Sequence, residues 1–501
     1  MIDTNRTAAA GILALDQGTT NTKAIFLDPA TGQVLASASR PVGIAFPRPG
    51  WVEQDAEQLW SATLEAAQEC LAAVDATPAA VSISNQRESV VCWSRSTGEP
   101  LGPVLGWQDA RTAAWCVGLA AARPDAAELV RRRTGLSLDP MFSAPKMRAA
   151  LDAAVAAGAD PDDVALGTVD AWLVRRLTGV AATDAGNASR TLLLDLETLD
   201  WHPELLDLFG VPAAALPEVR ASDAGFGVTL GEGRLPAGVP VAAVLADSHS
   251  ALYHHGCTEP GTGKATFGTG SSVMTPLAGL ERAPEGIATT VAWQAGGAVT
   301  YAREGNIVAT GSALDWMATT LGVPPGLSGG AFLTALAADV PDAGGVAFVP
   351  AFSGLGAPYW DRDASGVLTG VTGGTRREHL ARAALESVAH QVADVVEAIE
   401  SDGRVRLAVL NADGGATASG LLMQTQADLL DRPVEVSDVA EASALGAALL
   451  AARTLGLPTA HPAPGRRVVP TPDAVTTRGP ARAAWAAAVA RSRGLAVPAT
   501  D

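Results

Sequence analysis

Asp16, Gly18, Thr19 and Thr20 stand together in "ILALDQGTTNTKAIFLD" (12–28), between the apolar runs 12–15 and 24–27. The runs predict two strands and the polar insert a tight hairpin turn. Turns of this composition are common on surfaces. The same residues also make a phosphate cradle. Gly18 lets the backbone come close, Thr19 and Thr20 offer amide and hydroxyl donors, and Asp16 can hold a hydrated Mg2+. A second stretch repeats the pattern: "KATFGTGSSVMTPL" (264–277) places Gly268 and Thr269 at a bend between apolar runs. The adjoining "PGTGKAT" (260–266) is not a P-loop, because Thr258 stands where the first glycine belongs and Ala265 follows the lysine. It reads as the entry to a strand.

Asp247 ends the apolar run of "VLADSHSALYHHG" (244–256). An acid there is often a helix N-cap; facing a substrate, it is a general base for an attacking hydroxyl. The nearby His249, His254 and His255 give no ligand frame for a metal. In "ISNQRES" (83–89), Arg87 and Glu88 follow a strand directly. Such a pair is usually solvated, but the carboxyl end of a buried strand is where open α/β sheets bind ligands. A donor fork beside an acceptor suits a hydroxyl-rich molecule. "NADGGATASGLLMQ" (411–424) is either an ordinary strand-to-helix joint or a glycine platform for adenine and ribose.

The elements that must position these residues alternate in type. "VSISNQ" (81–86) and "LAVLNADGG" (407–415) read as strands. Residues 56–74, 379–401 and 418–430 have helical spacing, and "PARAAWAAAVARSRGL" reads as a terminal amphipathic helix. This is an α/β pattern. Two similar hairpins half a chain apart predict two similar halves with a cleft between them, 1–253 and 254–501. A net charge of −18 argues against a nucleic-acid or anionic-membrane binder, since phosphate backbones need Lys/Arg stripes. The four cysteines have no paired spacing, the N-terminus has no signal-peptide pattern, and no apolar run is long enough to span a membrane. The expectation is a cytoplasmic protein.

These five elements, taken in chain order, resemble the FGGY carbohydrate kinases over roughly residues 10 to 490, with the glycerol kinases the nearest branch. "RPGWVEQDAEQLW" (48–60), "LGWQDART" (105–112), "GTVDAWL" (167–173), "DAGNASRTLLLDLETLDW" (184–201), "PAFSGLGAPYWD" (350–361) and "EASALGAALLA" (441–451) add to the match. The resemblance implies two domains of the ribonuclease H/actin type, with ATP and sugar meeting in the central cleft. It implies that Asp16, Thr19, Thr20, Gly268 and Thr269 serve the phosphates and magnesium. Lys23 stands where glycerol kinases usually have Arg, as a further cationic phosphate contact. Gly311, Gly414, Gly415 and Ala416 would border the nucleotide, and Arg87, Glu88 and Trp107 would hold the polyol. Asp247 matches the family's catalytic base. The implied partners are ATP and a small polyol or sugar; a homodimer and a homotetramer both remain open.

Three departures bear on the acceptor. "DPMFS" carries Met141 where glycerol kinases usually have a glycerol-binding tyrosine. Ser248 and His249 replace two glutamines after the catalytic Asp, and Ser272 replaces an aromatic residue after the Gly-Thr-Gly turn. Aromatic to Ser enlarges the pocket. The expectation is therefore phosphorylation of a primary hydroxyl of a four- or five-carbon polyol or ketose, with plain glycerol kinase as the alternative. An ATP-driven switch of the actin/chaperone type would share the phosphate hairpins but would not need "NQRES" or "LADSHSAL". A non-catalytic sugar sensor would not need Asp16 and Asp247. The family's regulatory fructose-bisphosphate loop is not reproduced in "LGEGRLPAGVP" (230–240), so such inhibition is not expected.

Overall fold

The computed structural model describes residues 11–74, 76–439, 441–460 and 465–495. The N-terminal residues on which the absence of a signal peptide was read, 1–10, lie outside the described residues. The opening stretch is a hairpin of strands Ile12–Gln17 and Asn21–Asp28, with Gly18 N–H closing the bend on Asn21 O at 3.0 Å. It lies in a five-stranded sheet whose order runs from Val241–Ala246 through Ala80–Asn85 and the two hairpin strands to Gln33–Pro41.

Strands Ile12–Gln17 and Ala80–Asn85 are buried almost throughout because both faces of the sheet are covered. Leu13 and Leu15 pack with Leu59, Ala66 and Ala67 of helix Ala56–Val74. Their alternate neighbours Ile12 and Ala14 pack with Ala444, Ala448 and Ala451 of helix Ala442–Thr454. That second helix comes from the far end of the chain, so the two halves interlock. It crosses helix Asp247–His254 so closely that a Cβ on Gly446 would lie 1.9 Å from Ser250 O; only glycine fits.

The second half repeats the plan. Strands Lys264–Phe267 and Ser271–Pro276 form the other hairpin, inside a seven-stranded sheet that includes Ala298–Ile307 and Leu410–Asp413. Phe267 and Val273 share a core with Val388, Val392 and Val396 of helix Arg377–Glu400. Three boundaries differ notably from the sequence reading. The expected strand 407–415 is only Leu410–Asp413, because Gly414 turns at φ 97. The following helix starts at Gly420, where Ser419 Oγ accepts Leu422 N–H at 3.3 Å. The terminal helix starts earlier than expected, at Ala474.

Candidate active site

Strand register aligns the acids. Asp16 lies beside Ser84, and Ser84 beside Leu245, two residues before Asp247. Across this sheet end, the turns 18–20 and 268–270 face one another over a cleft of about 460 Å3. Its walls include Thr19, Thr20, Arg87, Glu88, Trp107, Met141, Asp247, Ser248, Gly268, Thr269 and Ser272. Eleven residues singled out from the sequence thus meet in one place.

The others lie behind or beside it. Asp16 and Gly18 back the first turn. Gly311 opens helix Gly311–Thr320 against the second turn; its N–H donates to Gly268 O at 2.9 Å, and a Cβ there would sit 2.5 Å from that oxygen. Gly414 packs on the backbone of Phe267, and Gly415 and Ala416 continue from it in a short 3-10 turn. Lys23 is engaged elsewhere: its Nζ donates to Glu441 Oε2 at 2.7 Å.

The floor of the cleft is a charge network that the sequence reading missed. Arg87 Nη1 bonds Glu304 Oε1 at 2.5 Å, and Arg87 Nε lies 3.0 Å from Asp247 Oδ1. Arg190 Nη1 lies 2.9 Å from Glu304 Oε2, and Arg190 Nε donates to Glu88 Oε1 at 2.7 Å. Glu304 and Arg190 are fully buried, Glu88 and Arg87 nearly so, while Asp247 keeps 37% of its side chain exposed. Burial opposes the charge on Arg87, but Glu304, Glu88 and Asp247 outweigh it and raise its pKa. Burial likewise opposes the charge on Glu304; Arg190 and Arg87 outweigh it and hold that carboxyl well below the usual range.

Local structure explains how these groups converge. Asp184 caps the short helix Ala185–Ala188 by accepting Gly186 and Asn187 N–H, which leads the chain into Arg190. On strand Ala298–Ile307, Arg303 turns away to Asp402 while Glu304 faces the cleft, as the strand's alternation requires. Arg303 and Glu304 in "YAREGNI" both prove buried, but the sequence alone carried no signal that Glu304 joins this network. Trp360 and Asn306 also line the cleft and were not singled out. Two of the lining residues, Glu88 (φ 60) and Trp360 (φ 47), hold left-handed backbone conformations that cost about 1–3 kcal/mol each. Such strain persists only where surroundings enforce it.

Trp107 joins the two ends of the site. Its Nε1 donates to Thr19 Oγ1 at 3.0 Å and its amide to Ser89 Oγ at 3.0 Å. Ser248 Oγ accepts from Arg87 Nη2 at 3.1 Å, and Ser272 Oγ donates to Glu304 Oε1 at 2.9 Å. His249 is buried, its ring nitrogens meet no hydrogen-bond partner, and burial drives its pKa well below the usual value. Beneath the second turn, Lys264 is buried and donates to Thr266 Oγ1 at 2.9 Å, in place of any P-loop role.

The profile of the FGGY family of carbohydrate kinases, N-terminal domain, matches residues 11–253, and that of the C-terminal domain matches 263–455. A glycerol kinase of Alkalilimnicola ehrlichii is 46% identical over 464 residues, covering 90% of this chain and 91% of the relative. An apulose kinase of Pectobacterium atrosepticum is 45% identical over 452 residues, covering 89% and 90%. Among solved structures, the Plasmodium falciparum glycerol kinase with ADP superposes with a TM-score of 0.85 at 28% identity, covering 96% of this chain and 98% of that one.

Proposed function

We infer, for a chain that belongs to the FGGY family of carbohydrate kinases, that its acceptor is a four- or five-carbon polyol or ketose phosphorylated on a primary hydroxyl. The protein is an ATP-dependent carbohydrate kinase with the family's two-domain, ribonuclease H/actin-like fold. The inference concerns the acceptor, the division into 1–253 and 254–501, and the role of each residue. One observation carries it: Asp247, Arg87 and Glu88 share a single cleft with both Gly-Thr turns.

In this reading Arg87 and Glu88 hold the acceptor's hydroxyls, and Trp107 and Met141 wall its carbon chain. Asp247 accepts the proton of the hydroxyl that attacks the γ-phosphorus. Thr19, Thr20, Gly268 and Thr269 offer preorganised donors to the phosphate oxygens; phosphoryl transfer depends mainly on such positioning and charge stabilisation. Lys23 would have to leave Glu441 to reach a phosphate. Gly311, Gly414, Gly415 and Ala416 would border the nucleotide, while Gly18 permits close approach at the first turn.

The acids fit a magnesium ion. Burial pushes Asp16 up to about 6, and the negative charges of Asp247 and Glu441 add to that rise; a divalent cation would relieve the repulsion. Asp16 would hold it, and the ion would spread the charge of the phosphate oxygens. Among the described residues no helix is long and apolar enough to cross a membrane. A cytoplasmic location and a homodimer or homotetramer complete the reading.

Met141, Ser248 and Ser272 all line the cleft where a tyrosine, a glutamine and an aromatic residue were expected of a glycerol site. The relative named an apulose kinase, at nearly the same identity as those named glycerol kinases, supports acceptors beyond glycerol on this scaffold. The test is a kinetic panel of glycerol, tetritols, pentitols and ketoses with saturating MgATP. A higher kcat/KM for a four- or five-carbon acceptor is expected; a clear preference for glycerol refutes the reading.

A further inference from the structure

We propose that Asn306 is the specificity-determining residue of the acceptor site, and that its carboxamide reads a hydroxyl or carbonyl beyond the third carbon of the acceptor. The proposal rests on the acceptor-size reading above and names the group that enforces it.

Register places Asn306 directly opposite Ser272 on the paired strands Ala298–Ile307 and Ser271–Pro276, with Glu304 two residues away on the same face. Asn306 and Ser272 both line the cleft. The small Ser272 side chain leaves the space above this strand pair open, and its hydroxyl is spent on Glu304. Asn306 is half-buried, and its carboxamide lies between the two buried charges of the floor. With its nitrogen toward the carboxylate, it donates to Glu304 Oε1 at 3.0 Å and accepts from Arg190 Nη2 at 3.0 Å. The reverse orientation would set its oxygen against the Glu304 carboxylate and its N–H groups against the Arg190 guanidinium, offset only by one long 3.5 Å contact from Arg87 Nη2 to that oxygen. The charges therefore fix which way the amide points.

A carboxamide has two N–H groups and two lone pairs. One of each is committed to Glu304 and Arg190, leaving one donor and one acceptor for the cleft. The rest of the floor is only partly free: Arg87 binds Glu304, Asp247 and Ser248, one oxygen of Glu88 is held by Arg190, and Asp247 keeps 37% of its side chain exposed. A three-carbon acceptor uses Arg87, Glu88 and Asp247. A fourth carbon bearing oxygen requires a further oriented polar group, which Asn306 supplies. Because Asn306 is locked before the acceptor arrives, the contact needs little additional ordering.

Asn306→Ala and Asn306→Leu test the role against glycerol, erythritol, erythrulose, ribulose and xylulose under saturating MgATP. Removing one oriented hydrogen-bond pair is expected to cost the preferred four- or five-carbon acceptor at least tenfold more in kcat/KM than it costs glycerol, chiefly through KM. Equal losses on all acceptors, or losses confined to kcat, overturn the proposal and leave Asn306 as a support for Glu304 and Arg190. Urea midpoints of both variants separate that outcome from misfolding, and Asn306→Gln adds a second folded probe: it should keep the donor and acceptor but shift the order of preference among the longer acceptors. The wild-type panel alone decides acceptor size. A wild type that prefers longer acceptors, with variants that lose all acceptors alike, overturns Asn306 and not the acceptor reading. A glycerol-preferring wild type overturns the acceptor reading, while an altered ratio in the variants would still support Asn306.

Discussion

Glu304→Gln isolates the central feature of the cleft. The Glu304 side chain has no exposure, and it ties Arg87 at 2.5 Å to Arg190 at 2.9 Å. The substitution keeps shape and removes one charge. Arg190 then has Glu88 alone, and Arg87 has Asp247 alone among the ion-pair partners. Removing one partner of a buried pair costs about 3–5 kcal/mol when the remaining charge is left uncompensated. Both guanidiniums keep a second carboxylate, and Gln can still accept a hydrogen bond, so the expected loss is near the low end, about 3 kcal/mol.

The functional effect follows from where the freed charge goes. Arg87 and Glu304 lie 217 positions apart in the chain, on opposite sides of the hairpin echo. Without Glu304, Arg87 relaxes toward Asp247 and loses its angle to the acceptor. One charge-assisted hydrogen bond contributes about 1.5–3 kcal/mol, which corresponds to roughly ten- to a hundredfold in kcat/KM. Urea denaturation followed by tryptophan fluorescence reads the first effect, and steady-state kinetics reads the second. A double-mutant cycle with Arg190→Met removes effects that do not belong to the pair. A coupling energy below about 0.5 kcal/mol, together with unchanged kcat/KM, would refute the reasoning that this network holds Arg87 in place.

Three further predictions follow from individual side chains. Asp247→Asn should keep acceptor binding, measured by calorimetry, and lose most turnover; a near-normal rate would remove Asp247 as the base. Asp16 has a folded pKa raised by burial from 3.8 to about 6, so its contribution to stability is best below pH 3.8 and declines as pH rises toward 6, by up to about 3 kcal/mol. In metal-free buffer Asp16→Asn should therefore melt higher than the wild type at pH 7 and match it near pH 4, while phosphoryl transfer falls; a difference that does not change with pH contradicts the shift. Glu441→Gln frees Lys23 from its 2.7 Å partner and should lower KM for ATP with little change in KM for the acceptor; an unchanged KM for ATP would mean that Lys23 does not reach the phosphates.

How much of this site was legible in the sequence depends on the range of the interactions that build it. The two Gly-Thr turns are local: an apolar run, a Gly-Thr bend and a second apolar run specify a hairpin within sixteen residues or so, and both hairpins are present as read. Asp247, Arg87 and Glu88 were legible because each follows an apolar run at a strand's carboxyl end, where sheet topology leaves an opening. Glu304 and Arg190 were not, because each carries meaning only through a partner far away in sequence. Within its own strand Glu304 looks like a charged residue on a solvated face; burial against Arg87 and Arg190 makes it structural. The interlocking helix Ala442–Thr454 was illegible as a lid on the first sheet for the same reason, since its small residues show that something packs closely and not what does. The fold makes use of that difference in range. Local sequence can form a Gly-Thr turn in each half independently, whereas the charged floor exists only when Glu304 is brought to Arg87 and Arg190. With the acceptor held as proposed, its affinity and the docking of the halves draw on the same buried charges, and substitutions in that floor should change both together.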